Sequence, residues 1–282
     1  MQFIEKRKWF YIFSSVLIIA GIVSMFMQGF NWSIDFTGGS LLRYKMDSSI
    51  TADQVRNTVS ELKLVKEVSV QKSGSEFYIR TNELNQEQTA KMTSGLKEKF
   101  KSVTLESAES VGATIGSELT RNALIAIGIA LVLMLIYITF RFEFAFGLAA
   151  VLALFHDVLI VLGLFSIFQW EVSSYFVAAI LTIVGYSIND TIVIFDRVRE
   201  NLRSRKKEEL NTLLNRSIMQ TLNRSINTVL TVLMPLITLL LFGGSTIKVF
   251  VIALLIGILF GMYSSICVAS PFYYDYKQRS AS

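Results

Sequence analysis

The sequence predicts an α-helical membrane protein with six transmembrane helices and one α+β domain inserted between the first and second. Three observations lead there. Of 282 residues, 52% are hydrophobic and only 17% are charged, against about 25% charged in a typical soluble domain. The apolar residues are clustered, one block near the N-terminus and a long one from Asn122 onward. Six segments approach the about 20 mostly apolar residues that cross hydrocarbon. A soluble enzyme is close to excluded.

The six segments are residues 9–30, 122–140, 144–168, 173–195, 226–242 and 248–270. Lys6, Arg7 and Lys8 precede the first, as they would in a signal peptide. Its apolar stretch exceeds the about 7–15 residues of a signal core, and no small-residue cleavage site follows, so it reads as a retained anchor. Lys and Arg in short loops set the orientation. With the N-terminus inside, the cytoplasmic side holds Lys6, Arg7, Lys8, Arg141, Arg197, Arg199, Arg203, Arg205, Lys206, Lys207, Arg216, Lys277 and Arg279, and the short outer loops only Lys248. Both termini are expected in the cytoplasm. The expected organisation is a cytoplasmic tail and first helix (1–30), an extracytoplasmic domain (31–121), five further helices (122–272) with a basic cytoplasmic loop (196–224), and a cytoplasmic tail (273–282).

Within the outer segment, residues 40–46 read as a strand. Thr51-Ala52-Asp53-Gln54 fits a capping box that opens a helix through Leu62. Residues 67–72 and 76–81 alternate in polarity around Ser73-Gly74-Ser75, as a hairpin should. Residues 85–100 look helical, with Gln88 three after a possible Asn85 cap, and 103–110 alternates again. This β-α-β-β-α-β order is the ferredoxin-like pattern. The segment holds no His or Cys and no clustered carboxylates; it reads as a binding or spacer module and not as an active site.

Counts exclude further classes. One cysteine, Cys267, leaves no disulfide framework or thiolate cluster. One histidine leaves no His-rich metal site, so neither metal nor cofactor is expected. Two prolines, Pro235 and Pro271, leave no proline-rich linker. The net charge of +5 lies largely between hydrophobic segments, where topology explains it better than nucleic acid does.

Ionisable groups in hydrocarbon are costly and default to functional candidates. His156-Asp157 falls near the middle of span three, Asn189-Asp190 in span four, and Arg224 with Asn227 at the start of span five. At 1.5 Å per residue, Asp190 lies roughly 8 Å and Asp157 roughly 20 Å from the cytoplasmic ends of their spans. Asp190–Arg224 is then the better-matched pair, and Asp157 must find a partner elsewhere. A carboxylate in low dielectric holds its proton more tightly, and a nearby guanidinium releases it, so movement of Arg224 relative to Asp190 would load and unload a proton. Gly185, Ser187 and Thr191, with Gly257-x-x-x-Gly261, would allow close helix contact.

Asp35-Phe36-Thr37-Gly38-Gly39 after the first span, His156-Asp157, and the thirteen residues from Gly185 to Arg197 together resemble the SecF family of protein-export membrane subunits, over nearly the whole chain. The resemblance implies half of an RND-like helix bundle and a proton-driven, non-enzymatic accessory factor of the Sec translocase. Such a factor pairs with SecD, associates with SecYEG, SecA and YajC, and uses the proton-motive force to promote preprotein movement after the ATP-dependent step. It resides in the bacterial cytoplasmic membrane. Asp190 then matches the membrane aspartate, Arg224 the arginine of the following span, and Asp35, Phe36, Gly38 and Gly39 the motif at the outer membrane edge; Asp157, His156 and Asn189 join the proton-site candidates. Ala113 departs from the pattern, since family members often carry proline there.

Three alternatives remain. A non-conducting assembly subunit would use its buried charges for packing alone. An intramembrane aspartyl protease needs two carboxylates sharing a proton, whereas Asp157 and Asp190 stand about 12 Å apart in depth by helical rise. A small-molecule exporter would need more room than one small outer domain offers.

Overall fold

The structure, a computed structural model, describes residues 2–66, 68–141, 143–204 and 208–281. Arg205, Lys206 and Lys207 of the basic loop, Glu67 of the first expected hairpin strand, and Ser282 of the tail lie outside the described residues. The principal elements are α1 (Arg7–Gln28), α2 (Ile34–Thr37), β1 (Gly39–Lys45), α3 (Ala52–Glu61), β2 (Val68–Ser73), β3 (Glu76–Thr81), α4 (Gln86–Lys99), β4 (Thr104–Val111), α5 (Ala113–Arg141), α6 (Phe144–Phe168), α7 (Ser174–Arg203), α8 (Leu210–Phe242), α9 (Gly244–Ser264) and α10 (Ser270–Ala281). A π-helical turn, Ser265–Ala269, joins the last two. The chain divides into a unit of Trp32–Leu124 and a second unit formed by the rest.

In the Trp32–Leu124 unit the sheet order is β2-β3-β1-β4, every neighbouring pair antiparallel, which is the ferredoxin-like arrangement. Both helices start where the sequence places a cap. Thr51 with Gln54 and Asn85 with Gln88 each form a reciprocal capping box, satisfying two amides that the first turn leaves open. The alternating strands turn Leu42, Tyr44, Phe77 and Ile79 onto Val55, Val59, Met92 and Leu96, which close the core. Gly74, at φ 63°, turns the hairpin.

The other unit holds long apolar helices. Among the described residues, six helices have the length and composition to cross a membrane, the last running continuously through the π turn. Two begin earlier than the apolar pattern suggests. α5 starts at Ala113, nine residues before 122, and α8 starts at Leu210, sixteen before 226. The segment 196–224, expected as a loop, is therefore mostly helix, since α7 runs on to Arg203. Hydropathy marks only the part immersed in lipid. At 33 residues α8 is about 50 Å long, well beyond the about 30 Å hydrocarbon core. Leu213, Leu214, Ser217, Ile218, Thr221 and Ser225 are all buried and trace one helical face.

Small residues set how the helices meet. Ser14–His156 and Ser24–Ser166 are both hydrogen-bonded with a sequence offset of 142, and the Gly21–Gly163 contact between them keeps the same offset. A constant offset means that α1 and α6 run parallel. A Cβ on Gly21 would lie 2.6 Å from Gly163 Cα, so the two backbones touch. α7 and α9 meet in the same way: a Cβ on Gly257 would run into the Ile183 side chain, and one on Gly261 would lie 3.2 Å from Ser187 Cα. The Gly257-x-x-x-Gly261 pattern thus admits α7.

At one end of this unit the two chain ends converge. Asn215 Oδ1 accepts the Phe3 and Ile4 amides at 2.8 and 3.1 Å. Asp275 accepts Arg7 Nε at 2.8 Å and the Tyr11 hydroxyl at 3.1 Å.

Replacing Gly163 by valine should cost about 1–3 kcal/mol by overpacking, read as a lower unfolding midpoint of the purified protein in detergent. Gly128→Ala, where a Cβ meets nothing within 4 Å, is the matched control and should leave the midpoint unchanged or raise it.

Candidate functional site

α6 delivers His156 and Asp157 into the interior, where Asp157 is fully buried and His156 nearly so. Asp157 Oδ2 accepts the hydroxyls of Ser187 (2.6 Å) and Ser264 (2.7 Å). Its Oδ1 lies 2.9 Å from His156 Nδ1, and His156 Nε2 lies 2.9 Å from Ser14 Oγ. Four elements thus converge on one carboxylate, α1 reaching it through the imidazole. The adjacent Ser265 bonds to Thr191 Oγ1 at 2.7 Å. Successive residues of a helix point about 100° apart, which lets Ser264 face α6 while Ser265 faces α7, at the entry to the π turn. Such turns recur at functional sites.

Asp190 is held differently. Its Oδ1 accepts the Ser225 hydroxyl at 2.7 Å. Its Oδ2 is buried and, among the described residues, has no hydrogen-bond partner. Arg224 stands within electrostatic reach, yet among the described residues it forms no ion pair with Asp190. In place of the expected Asp190–Arg224 contact stands Asp190–Ser225, because Ser225 lies on the buried face of α8 while Arg224 is exposed. Arg224, Asn189 and Asn227 are exposed on the unit.

The depth ranking also changes. Asp157 bonds to Ser187, which precedes Asp190 by three residues, or roughly 4.5 Å of rise. The two sites are about one turn apart along α7, closer than the expected 12 Å in depth. They still use separate hydroxyls and share no hydrogen bond among the described residues, whereas an aspartyl-protease dyad shares one proton between its carboxylates.

The Asp35–Gly39 segment lies in the Trp32–Leu124 unit. Ser33 caps α2 by accepting the Asp35 amide at 3.2 Å, and Phe36 meets Trp32 edge-on at 5.7 Å. Gly38 and Gly39 have φ of 70° and 111°, in the region that glycine alone enters freely. Space is short as well: a Cβ on Gly38 would lie 3.1 Å from Ala113 Cα, and one on Gly39 would strike the Thr81 carbonyl. Ala113 is the first residue of α5, the helix position that also suits proline, so alanine there still lets the helix begin.

Ser14, Ser225, Ser264 and Tyr263 escape a reading centred on charge. The available signal is hydroxyl spacing: Ser187 and Thr191 sit four apart on one face of α7, and Ser264-Ser265 is a hydroxyl pair inside an apolar span.

Residues 91–279 match the family described as protein export membrane protein SecD/SecF, C-terminal, and residues 23–50 match the SecD/SecF GG motif. Protein translocase subunit SecF of Sebaldella termitidis is 42% identical over 280 residues, covering 97% of this chain and 91% of that protein. Protein translocase subunit SecDF of Bacillus subtilis is 42% identical across 99% of this chain, which spans only 38% of that longer protein. Among solved structures, SecDF from Thermus thermophilus, a translocon-associated membrane protein, superposes with a TM-score of 0.92 at 38% identity, covering 99% of this chain and 39% of that one. SecDF in a super-membrane-facing form gives a TM-score of 0.74 at 37% identity, with 100% and 39% covered.

Asp157→Leu should strand His156, Ser187 and Ser264, at about 1–3 kcal/mol for each unmet buried group. Asp157→Asn keeps an acceptor oxygen and should cost much less. Unfolding midpoints in detergent would show the order wild type, then Asn, then Leu; equal midpoints would deny the network its structural role.

Proposed function

This chain belongs to the SecD/SecF family of protein-export membrane proteins, and from that membership we propose how it works as a proton-driven subunit of the Sec translocase. It is a multi-pass membrane protein and an accessory subunit of that translocase, with SecD as its partner. The fused SecDF relatives carry both names on one chain, of which this protein matches 38%.

The carrying observation is Asp190, a carboxylate among membrane-spanning helices with one buried oxygen left unbonded. An ionised carboxylate there leaves a buried charge half-compensated, at a cost that either a proton or a cation removes. Arg224, next to the serine that now bonds Asp190, is the cation at hand. In the proposed cycle the protonated state keeps Ser225 on Asp190. Loss of the proton draws Arg224 in, through a turn of α8 about its axis. Moving one charge through 100 mV is worth about 2.3 kcal/mol, enough to bias such a two-state element.

Exposed Asn189, Arg224 and Asn227 would be poorly solvated by lipid. SecD is the partner that covers them, completing the RND-like bundle. The Lys and Arg distribution supports both termini in the cytoplasm and residues 31–121 outside, and the family membership supports a bacterial cytoplasmic membrane. The outer domain then acts on preprotein beside SecYEG, after SecA, with YajC as a further associate.

Translocation into inverted vesicles that contain this chain and its SecD partner tests the cycle. Asp190→Asn should abolish the component that depends on an imposed proton gradient, with the complex still assembled. An unchanged gradient response would leave a non-conducting packing subunit.

A further inference from the structure

Asp157 is the most deeply buried carboxylate of the helical unit, and its hydrogen bonds lead outward along one line. His156 Nδ1 lies 2.9 Å from Asp157 Oδ1, Ser14 Oγ 2.9 Å from His156 Nε2, and the Tyr263 hydroxyl 3.2 Å from Ser14 Oγ. Tyr263 then donates to the Phe10 carbonyl at 3.1 Å, in the first turn of α1. Its ring is fixed on several sides: Phe10, Phe13 and Phe260 meet it edge-on at 6.2, 5.6 and 6.1 Å, and the His156 ring lies 6.0 Å away at 29°. The line thus passes from a fully buried carboxylate to a half-buried tyrosine. We infer that Asp157, His156, Ser14 and Tyr263 form a proton relay, a second path beside Asp190 that opens at the first turns of α1. This inference rests on the proton-coupled reading above.

Hydrogen-bond chemistry allows two complete arrangements. A neutral imidazole has one N–H and one acceptor nitrogen. In the loaded state Asp157 is protonated and donates to Nδ1; Nε2–H donates to Ser14, Ser14 to Tyr263, and Tyr263 to the Phe10 carbonyl. In the unloaded state Nδ1–H donates to the carboxylate, which also accepts from Ser187 and Ser264; Ser14 donates to Nε2 and Tyr263 donates to Ser14. Conversion moves the Asp157 proton to Nδ1, the Nε2 proton to Ser14 and the Ser14 proton to Tyr263, while the Tyr263 hydroxyl turns off the Phe10 carbonyl and gives its own proton to water. Each broken N–H or O–H bond is remade one place along, and one proton leaves. The reverse sequence loads it.

The relay explains why each position holds the side chain it does. Serine has a hydroxyl that donates and accepts, and imidazole has nitrogens on opposite sides, so each can pass a proton on while staying in place. Ser187 and Ser264 supply two donors that hold the carboxylate once its proton has left.

The test uses the same vesicles, containing the full chain with SecD, and checks complex assembly by co-purification. Tyr263→Phe and Ser14→Ala should each lower the gradient-dependent component by about tenfold or more, within the range of a lost proton-transfer group. Ser14→Thr, which keeps the hydroxyl, should recover most of it. The wild-type gradient-dependent rate should also slow in deuterated water. Equal impairment of Ser14→Ala and Ser14→Thr would make the position one of packing and overturn the relay. A wild-type response from Tyr263→Phe and Ser14→Ala, with Asp190→Asn inactive, would overturn the relay alone. A wild-type response from Asp190→Asn as well would overturn the proton-coupled reading beneath it.

Discussion

Burying Asp157 imposes the tightest constraint on the helical unit. A carboxylate taken out of water must be met by donors at hydrogen-bond distance, or the desolvation penalty of several kcal/mol stands. Here two donors are serine hydroxyls at 2.6 and 2.7 Å, and serine is short. Such reach requires the backbones of α6, α7 and the last span to come close together. Glycine makes that approach possible: Gly261 lies against Ser187, the residue that donates to Asp157. In lipid, helix association lacks the usual hydrophobic drive, and small residues with interhelical hydrogen bonds take its place. The glycine contacts and the polar cluster are one design seen from two sides.

The two intramembrane carboxylates differ in how completely they are met. Asp157 has three partners, one of them a histidine that can exchange roles with it. Among the described residues Asp190 has one hydrogen-bond partner and one oxygen without any. A saturated site resists rearrangement because every move breaks a bond already made. A half-met site is biased by any cation or proton that arrives. In the proposed scheme Asp190 therefore couples to motion of α8, while Asp157 passes protons through a fixed frame.

Much of the fold was legible. The capping boxes at Thr51 and Asn85 show in the spacing of two side chains, and the strand order follows from the β-α-β-β-α-β pattern. Hydropathy marked six spans but not where α5 and α8 begin as helices, because helix continuity depends on backbone hydrogen bonds and hydrophobicity reports only immersion. The charged members of the site stood out, since charge in hydrocarbon is rare. Their partners did not. A serine in an apolar span is common, and Ser14, Ser225 and Ser264 become distinctive only when folding brings them opposite a carboxylate. The choice of Ser225 over Arg224 was also out of reach, because linear depth does not resolve the rotation of a helix about its axis.

In the proposed cycle that rotation matters more than depth for coupling. Arg224 and Ser225 are successive residues, so about 100° of turn separates the face that bonds Asp190 from the face that carries the guanidinium. The exposed face of α8 also carries Asn223 and Asn227, and a turn that brings Arg224 inward must re-seat both amides. Lipid offers them no hydrogen-bond partner. A polar surface supplied by SecD would, and under the proposed cycle it would have to be complementary to either seating. In the proposed cycle the energy that proton loss creates at Asp190 is felt at the face that SecD would cover, because the side chains that would change partners are exposed there. On this scheme the subunit would not complete its cycle alone, since a second half is needed to make the rotated state as well satisfied as the first.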